Sequence, residues 1–375
     1  MALPEVAVFT DTYLPTVNGV SYTIETWRDR WAARGGRMDV VYPDAPSREP
    51  ADGEFPVAAV DFPFYDGYRL GVPSIPTASR DVDLVHAHTP FLMGLTGGRL
   101  ARREDIPLVV SHHTPIPEYT QYVASGRIGR TLRRAAAVYE RRFLDRASAI
   151  ITPSEPAARQ LRESGVTGEL RVVPNGVDTA FFRPVDTDRR FRDRHGLPEG
   201  PLVGYTGRHG FEKNLGTIIE AVEGIDASLV FGGDGPARAQ LEREAAQSET
   251  DVHFIGFLAR QELPEFYSAL SVFAFPSPVE TQGLVALEAN ACGTPVVGVD
   301  QGALTVTIAD GETGYHFEEG DVAGFRAGLR RAMAGSSRLG ERCLDRREEM
   351  SVERAIDRLE QVYAGARAAH SDENT

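Results

Sequence analysis

PSPVETQGLVALEANACGTPVVGV, residues 276–299, is the stretch whose reading decides the fold. The apolar run Val272-Phe273-Ala274-Phe275 leads into it and stops at Pro276, which reads as a buried strand ended by proline. A short loop carries Glu280. From Gly283 onward Leu284, Leu287 and Ala291 fall at helical spacing, and Gly293 with Pro295 behind it ends the helix. Val296 and Val297 open the next buried strand. Strand, loop, helix and strand in that order predict an open parallel sheet of the α/β class, in which ligands bind beyond the carboxyl ends of the strands.

Two carboxylates, Glu280 and Glu288, lie at that end. On one continuous helix they would stand about 12 Å apart, at about 1.5 Å per residue. That is roughly the reach from the sugar to the ribose of a nucleoside diphosphate sugar. Carboxylates accept hydrogen bonds from the vicinal hydroxyls that both rings present. Between them the N–H groups of Thr281, Gln282, Gly283 and Leu284 lie at a helix N-terminus, which favours an anion. The plain alternative is an amphipathic helix with two solvated glutamates. Glu288 speaks against it, because Leu287 and Ala289 flank it in an apolar stretch where an unpaired carboxylate is expensive.

ETQGLVALEANACGTPVV, residues 280–297, resembles the donor-site signature of a large family of retaining GT-B glycosyltransferases. That family includes sucrose synthases, phosphatidylinositol mannosyltransferases and diacylglycerol glucosyltransferases. The resemblance implies that Glu280 contacts the donor sugar and Glu288 the ribose hydroxyls. Gln282-Gly283 replaces the usual Phe-Gly, and the Thr-Gln-Gly-Leu form is similar to the lipid-glycosylating members. The implied fold is α/β, with two Rossmann-like domains facing across a central cleft. Residues 1–183 would form the acceptor side and residues 184–351 the nucleotide-sugar domain, with a helix over 352–369 crossing back to the first.

Bulk properties agree with a two-core globular enzyme. A chain of 375 residues with 42% hydrophobic content has enough apolar surface for two cores. Cys292 and Cys343 are too few for a disulfide scaffold, so a reducing compartment is expected. MALPEVAVFT has no basic n-region, so no signal peptide is expected. No apolar run approaches the roughly 18 residues of a membrane helix. A cytoplasmic protein, soluble or peripheral on the membrane, is the expectation. A net charge of −14 argues against a nucleic-acid partner. Lys213 is the sole lysine among 40 basic side chains, a pattern that resembles salt-adapted proteins and that a GC-rich genome would also produce.

The second half opens with the strand Leu202-Val203-Gly204-Tyr205, and Gly207-Arg208 stands at its end. Arg208 and Lys213 flank a strand-to-helix turn suited to a diphosphate. GRHGFEKN resembles the family's Gly-Arg…Glu-Lys-Asn phosphate motif, and Asn214 would order the turn. The resemblance also implies that Gly19, after Asn18, abuts the diphosphate, and that Gly256-Phe257-Leu258 seats the base; a plain turn glycine is the other reading of Gly19. The glycine-rich turn at 232–236 is a weak signal by itself. Gly302-Ala303 stands where many members have Gly-Gly followed by Glu, and no role follows for Thr305.

His113-Thr114 resembles the family's His-Thr beside the transferring sugar. His86, His88, His112 and His113 also raise metal ligation, but no third convincing ligand lies near in sequence. Asp81-Val82-Asp83 has the Asp-x-Asp spacing of metal-dependent glycosyltransferases, yet it precedes a strand. No metal and no cofactor are expected. Residues 126–146 carry arginines 127, 130, 133, 134, 141, 142 and 146. Ile128, Leu132, Ala136, Tyr139 and Phe143 form the apolar face of the same segment. Either it is a solvated helix docked on the sheet or it touches anionic lipid. The implied function is retaining transfer of a hexose to an acceptor hydroxyl, of a membrane lipid or of a saccharide, with no covalent nucleophile. Its rival is a catalytically silent GT-B protein that binds nucleotide sugars.

Overall fold

The computed structural model describes residues 2–61, 69–113, 126–186 and 189–373. The chain divides into two compact units, Met1–Asn175 with Val352–Thr375, and Gly176–Ser351. Residues 183–199, a polar and charged stretch, include a helix, Arg189–His195. Phe191 of that helix is buried in the second unit's core, as are Val177 and Phe182, so the break lies at Asn175, before the 183 expected from sequence.

The first unit is built on β1 (Val6–Phe9), β2 (Met38–Pro43), β3 (Glu54–Val57), β6 (Leu84–Ala87), β7 (Leu108–Ser111), β8 (Ala149–Thr152) and β9 (Leu170–Val172), with a small hairpin of β4 (Ala59–Asp61) and β5 (Arg69–Gly71) beside them. The seven strands run parallel in the order β3-β2-β1-β6-β7-β8-β9. Both faces are covered, which is why the strands read as unbroken apolar runs. Val6 and Val8 pack with Trp27 and Trp31 of the helix Gly19–Ala33 and with Ile356, Leu359 and Tyr363 of the helix Val352–Glu373. Ala7 and Phe9 point the other way, to Met93 and Leu100 of the helix Leu92–Glu104. The C-terminal helix is held by Tyr363 edge-on to Trp31 at 5.3 Å and by Arg34–Asp357 at 2.6 Å.

Strand order reverses between β1 and β6, so the loops that follow them are neighbours. Asp11 uses this. It accepts from Thr89 Oγ1 at 2.5 Å and from Met93 N at 3.1 Å, and so caps the helix Leu92–Glu104, which Phe91 leaves uncapped.

The four histidines lie at the carboxyl ends of β6 and β7. His86 Nδ1 meets the Tyr363 hydroxyl at 2.7 Å and its Nε2 the Ser111 hydroxyl at 2.8 Å. His88 Nδ1 meets His113 Nε2 at 2.8 Å. His112 lies 3.4 Å from Glu140. Both ring nitrogens of His86 are thus engaged in the core, and among the described residues no three His, Cys, Asp or Glu are placed to hold a metal ion. Asp83 is structural as well: it accepts from Glu5 N at 2.8 Å and from Arg367 at 2.9 Å.

Burial, with a smaller contribution from neighbouring histidines, pushes His86 and His113 down to about 3 and His88 well below the usual 6.5. Below pH 6.5 the unfolded chain binds protons that these rings refuse. Their contribution to stability is therefore complete above 6.5 and is lost as pH falls, at up to about 1.4 kcal/mol per pH unit for each ring. The expected outcome in an NMR titration is that the ring signals of His86, His88 and His113 stay fixed from pH 8 to pH 5. A midpoint near 6.5 for any of them would contradict the neutral buried cluster.

Candidate active site

The second unit holds β10 (Leu202–Thr206), β11 (Ser228–Gly232), β12 (Val252–Gly256), β13 (Val272–Phe275), β14 (Val296–Val299) and β15 (Gly314–Phe317). They form a parallel sheet in the order β12-β11-β10-β13-β14-β15. The chain builds outward from β10 to β12, then returns to the other side of β10. The loops after β10 and β13 therefore meet at a switch point, where open α/β sheets bind ligands.

Lys213 and Glu280 meet there. Lys213 closes the short turn Phe211–Lys213 after β10, and Glu280 sits in the loop after β13. Lys213 Nζ donates to Glu280 Oε1 at 2.6 Å, with both side chains more than four-fifths buried. Asn214 follows in the left-handed region, φ 52°, and turns the chain into the next helix. Arg208 Nη1 stands 3.3 Å from Glu212. Beneath them the Tyr205 hydroxyl reaches the Arg208 carbonyl at 3.4 Å; burial, with Glu280 and Glu212 adding to it, holds that phenol well above its usual range.

The glycine-rich turn after β11, a weak signal in the sequence, fixes this loop. A Cβ on Gly233 (φ +99°) would stand 2.0 Å from the Gly207 carbonyl oxygen, and one on Gly235 2.7 Å from that of His209. His209 N donates to Asp234 O at 2.8 Å and accepts, through its own carbonyl, from Ala237 N at 2.8 Å. Its fully buried ring donates from Nε2 to Gly232 O at 3.1 Å. His209 was given no role of its own from sequence, and Gly233 stood there only as part of the glycine-rich turn.

The helix after β13 starts at Leu284, not at Gly283, and runs Leu284–Ala291. Gly283 is left-handed, φ +79°, and a Cβ there would also lie 2.8 Å from Leu304, so the position calls for glycine. Of the four N–H groups expected at the helix start, only that of Leu284 belongs to the helix; Thr281 and Gln282 lie in the loop, Gln282 buried. The turn at Gly302-Ala303 braces the loop: Ala303 N donates to Glu280 O at 3.3 Å, and Thr307 Oγ1 to Gln282 O at 2.5 Å. Glu288 accepts from the Tyr267 hydroxyl at 2.7 Å. Burial pushes its carboxyl up to about 7, with Tyr267 and Arg260 pulling it back. Phe257, just beyond β12, presents its ring to solvent at 66% exposure.

Lys213, Glu280, Arg208, Glu288 and Phe257 thus belong to one unit. Gly19 and His113 belong to the other. Gly19 is the exposed first residue of its helix, capped by Asn18, which accepts from Ser21 N at 2.9 Å. Thr114 lies outside the described residues. The arginine-rich helix spans Gly126–Leu144. Among its described residues the apolar stripe is buried at its C-terminal end, through Phe143 and Leu144, and the Tyr139 hydroxyl donates to Pro90 O. Leu132, Val138 and Tyr139 remain 38%, 41% and 37% exposed. Arg134, Arg142 and Arg146 flank a groove of about 610 Å³ floored by Val138, Tyr139 and Phe143.

The family model described as "Glycosyl transferases group 1" matches residues 187–350, and "Glycosyltransferase Family 4" matches residues 17–181. A GDP-mannose-dependent alpha-mannosyltransferase of Mycolicibacterium smegmatis is 30% identical over 86% of this chain and 86% of its own. The chain belongs to the group 1 glycosyltransferases. This glycosyltransferase is also 29% identical to the alpha-monoglucosyldiacylglycerol synthase of Streptococcus pneumoniae, over 96% of its length and 86% of the relative's. Sucrose-phosphate synthase from Thermosynechococcus elongatus shares its fold, with a TM-score of 0.77 at 22% identity over 97% of this chain and 100% of that one. The fold is GT-B, two Rossmann-like domains with parallel sheets.

Proposed function

We propose that this glycosyltransferase moves a hexose, with retention at the anomeric carbon, from a nucleoside diphosphate sugar to a hydroxyl of a membrane lipid. The observation that carries the donor half is the Lys213–Glu280 pair at the switch point, with Glu288 on the adjoining helix. On binding, the diphosphate takes the Lys213 ammonium and the Arg208 guanidinium. These fixed positive charges offset the charge that builds on the leaving group, the part a metal plays elsewhere, so no metal is required. Glu280 is released to orient the sugar hydroxyls. Glu288 takes the ribose diol, Gly207, Thr281, Gln282, Gly283 and Leu284 line the diphosphate and sugar, and Phe257 stacks on the base. Gly19 abuts the diphosphate, and His113 lies at the reacting face as a neutral hydrogen-bonding group. The acceptor attacks on the face the diphosphate leaves, with no protein nucleophile. Retention of the whole set Arg208, Lys213, Glu280 and Glu288 favours an enzyme over a silent nucleotide-sugar binder.

The lipid half rests on two observations. One is the name of the streptococcal relative, a diacylglycerol glycolipid synthase. The other is the helix Gly126–Leu144, whose exposed apolar residues lie among arginines in a chain of net −14. Such a face suits peripheral contact with an anionic membrane on its cytoplasmic side, at about 1 kcal/mol per basic residue near the surface. A saccharide acceptor is the alternative.

Nucleotide sugars incubated with enzyme and a lipid extract, read by mass spectrometry, should give a hexosylated lipid, undiminished by EDTA. Lys213→Ala should lower turnover about 10²-fold or more. Glu280→Gln should spare binding of free nucleoside diphosphate while lowering transfer, and Glu288→Gln should weaken that binding. Near-wild-type turnover of Lys213→Ala at saturating donor would contradict the phosphate assignment. Separately, replacing Arg130, Arg133 and Arg134 with Glu should abolish co-sedimentation with anionic vesicles while leaving nucleotide binding intact. Wild type that ignores such vesicles at every salt concentration, or that prefers a soluble sugar acceptor, would overturn the lipid reading.

A further inference from the structure

Tyr267 stood out nowhere in the sequence, yet its side chain is completely buried and ends on Glu288. It lies on the helix Leu263–Ala269. Its ring packs against Phe273 at 5.8 Å, Phe266 at 5.6 Å and Phe182 at 6.2 Å. Its carbonyl accepts from Thr294 Oγ1 at 2.6 Å, and Thr294 N in turn donates to Ala289 O at 2.9 Å. The ring is therefore fixed in the core, and the backbone is tied through Thr294 to the helix that carries Glu288. The hydroxyl donates to Glu288 Oε2 at 2.7 Å, and among the described residues the Glu288 carboxylate accepts no other hydrogen bond.

We propose that Tyr267 is a positioning residue for the donor nucleotide: by holding Oε2 of Glu288, its hydroxyl turns Oε1 to the ribose diol. This rests on the reading of Glu288 as the ribose acceptor. An unheld glutamate has three side-chain torsions to fix on binding. The phenol also matters for charge. Three titratable or charged groups face Glu288: Tyr267, Arg260 from the turn Arg260–Glu262, and Cys292 at the end of its own helix. Cys292 is pushed up to about 12, first by burial and then by Glu288, and stays neutral. Tyr267 is held well above its usual range by burial and keeps its proton. Among the described residues only Tyr267 donates a hydrogen bond that favours the ionised carboxylate against burial. Without it the carboxyl titrates at higher pH, and near neutrality more of it is protonated and a weaker acceptor.

The test is calorimetric binding of UDP, ADP and GDP, continued with the tightest of them and its 2′,3′-dideoxy counterpart, between pH 6 and pH 9. Wild type, Tyr267→Phe and Glu288→Gln are compared. Glu288→Gln should weaken the ribonucleotide roughly ten-fold and flatten its pH dependence. Tyr267→Phe should weaken it severalfold at pH 7, regain affinity as pH rises, and bind the dideoxynucleotide as wild type does. Wild-type affinity and pH profile in Tyr267→Phe, with Glu288→Gln impaired, would overturn the positioning role. Equal losses on both nucleotides would overturn it too, since they mark a general packing defect. An unimpaired Glu288→Gln would instead overturn the ribose assignment beneath it.

Discussion

The reversal of strand order between β10 and β13 is the constraint on which the rest of the site depends. Two loops separated by more than sixty residues are made neighbours by it, and the sole lysine of the chain lands 2.6 Å from a glutamate. A pair so largely withdrawn from water is not there for stability alone. Its desolvation cost roughly cancels its attraction, whereas removing one partner strands the other. What the pair does supply is two opposite charges held in register at the carboxyl ends of the strands. One suits a phosphate and the other a hydroxyl.

Around that pair the chain spends its conformational exceptions. Gly233 and Gly283 occupy positive φ where a Cβ would collide with the neighbouring loop. His209 is buried whole to tie the loop after β10 to the turn after β11. Gly302-Ala303 supports the backbone of Glu280 from the other side. Gly283 apart, none of these residues is proposed to touch substrate. They keep the two loops from relaxing apart, and electrostatic stabilisation of a leaving group depends on charges that do not have to move.

The stretch at 276–299 was legible because its signals are local: an apolar run cut by proline, a helical spacing, a glycine with proline behind it. Glu280, Glu288, Arg208 and Lys213 were legible as a family pattern. The partners of those residues were not. Tyr267 lies 21 positions from Glu288, and only the packing of two helices brings its hydroxyl there. The helix Arg189–His195 was hidden by its charge, since among its described side chains Phe191 alone is deeply buried. The segment at 126–144 was left open by its sequence, between a docked helix and one that touches lipid. Its periodicity fits either, and in the structure Leu132 and Tyr139 of the apolar stripe stay exposed while Phe143 is buried.

A crystal structure with a nucleoside diphosphate bound tests the central claim most directly. The account predicts the ribose hydroxyls at about 2.6–3.2 Å from Glu288 and the terminal phosphate on Lys213 and Arg208. A nucleotide seated elsewhere in the protein, with Lys213 still on Glu280 and Glu288 touching no ribose, would contradict it.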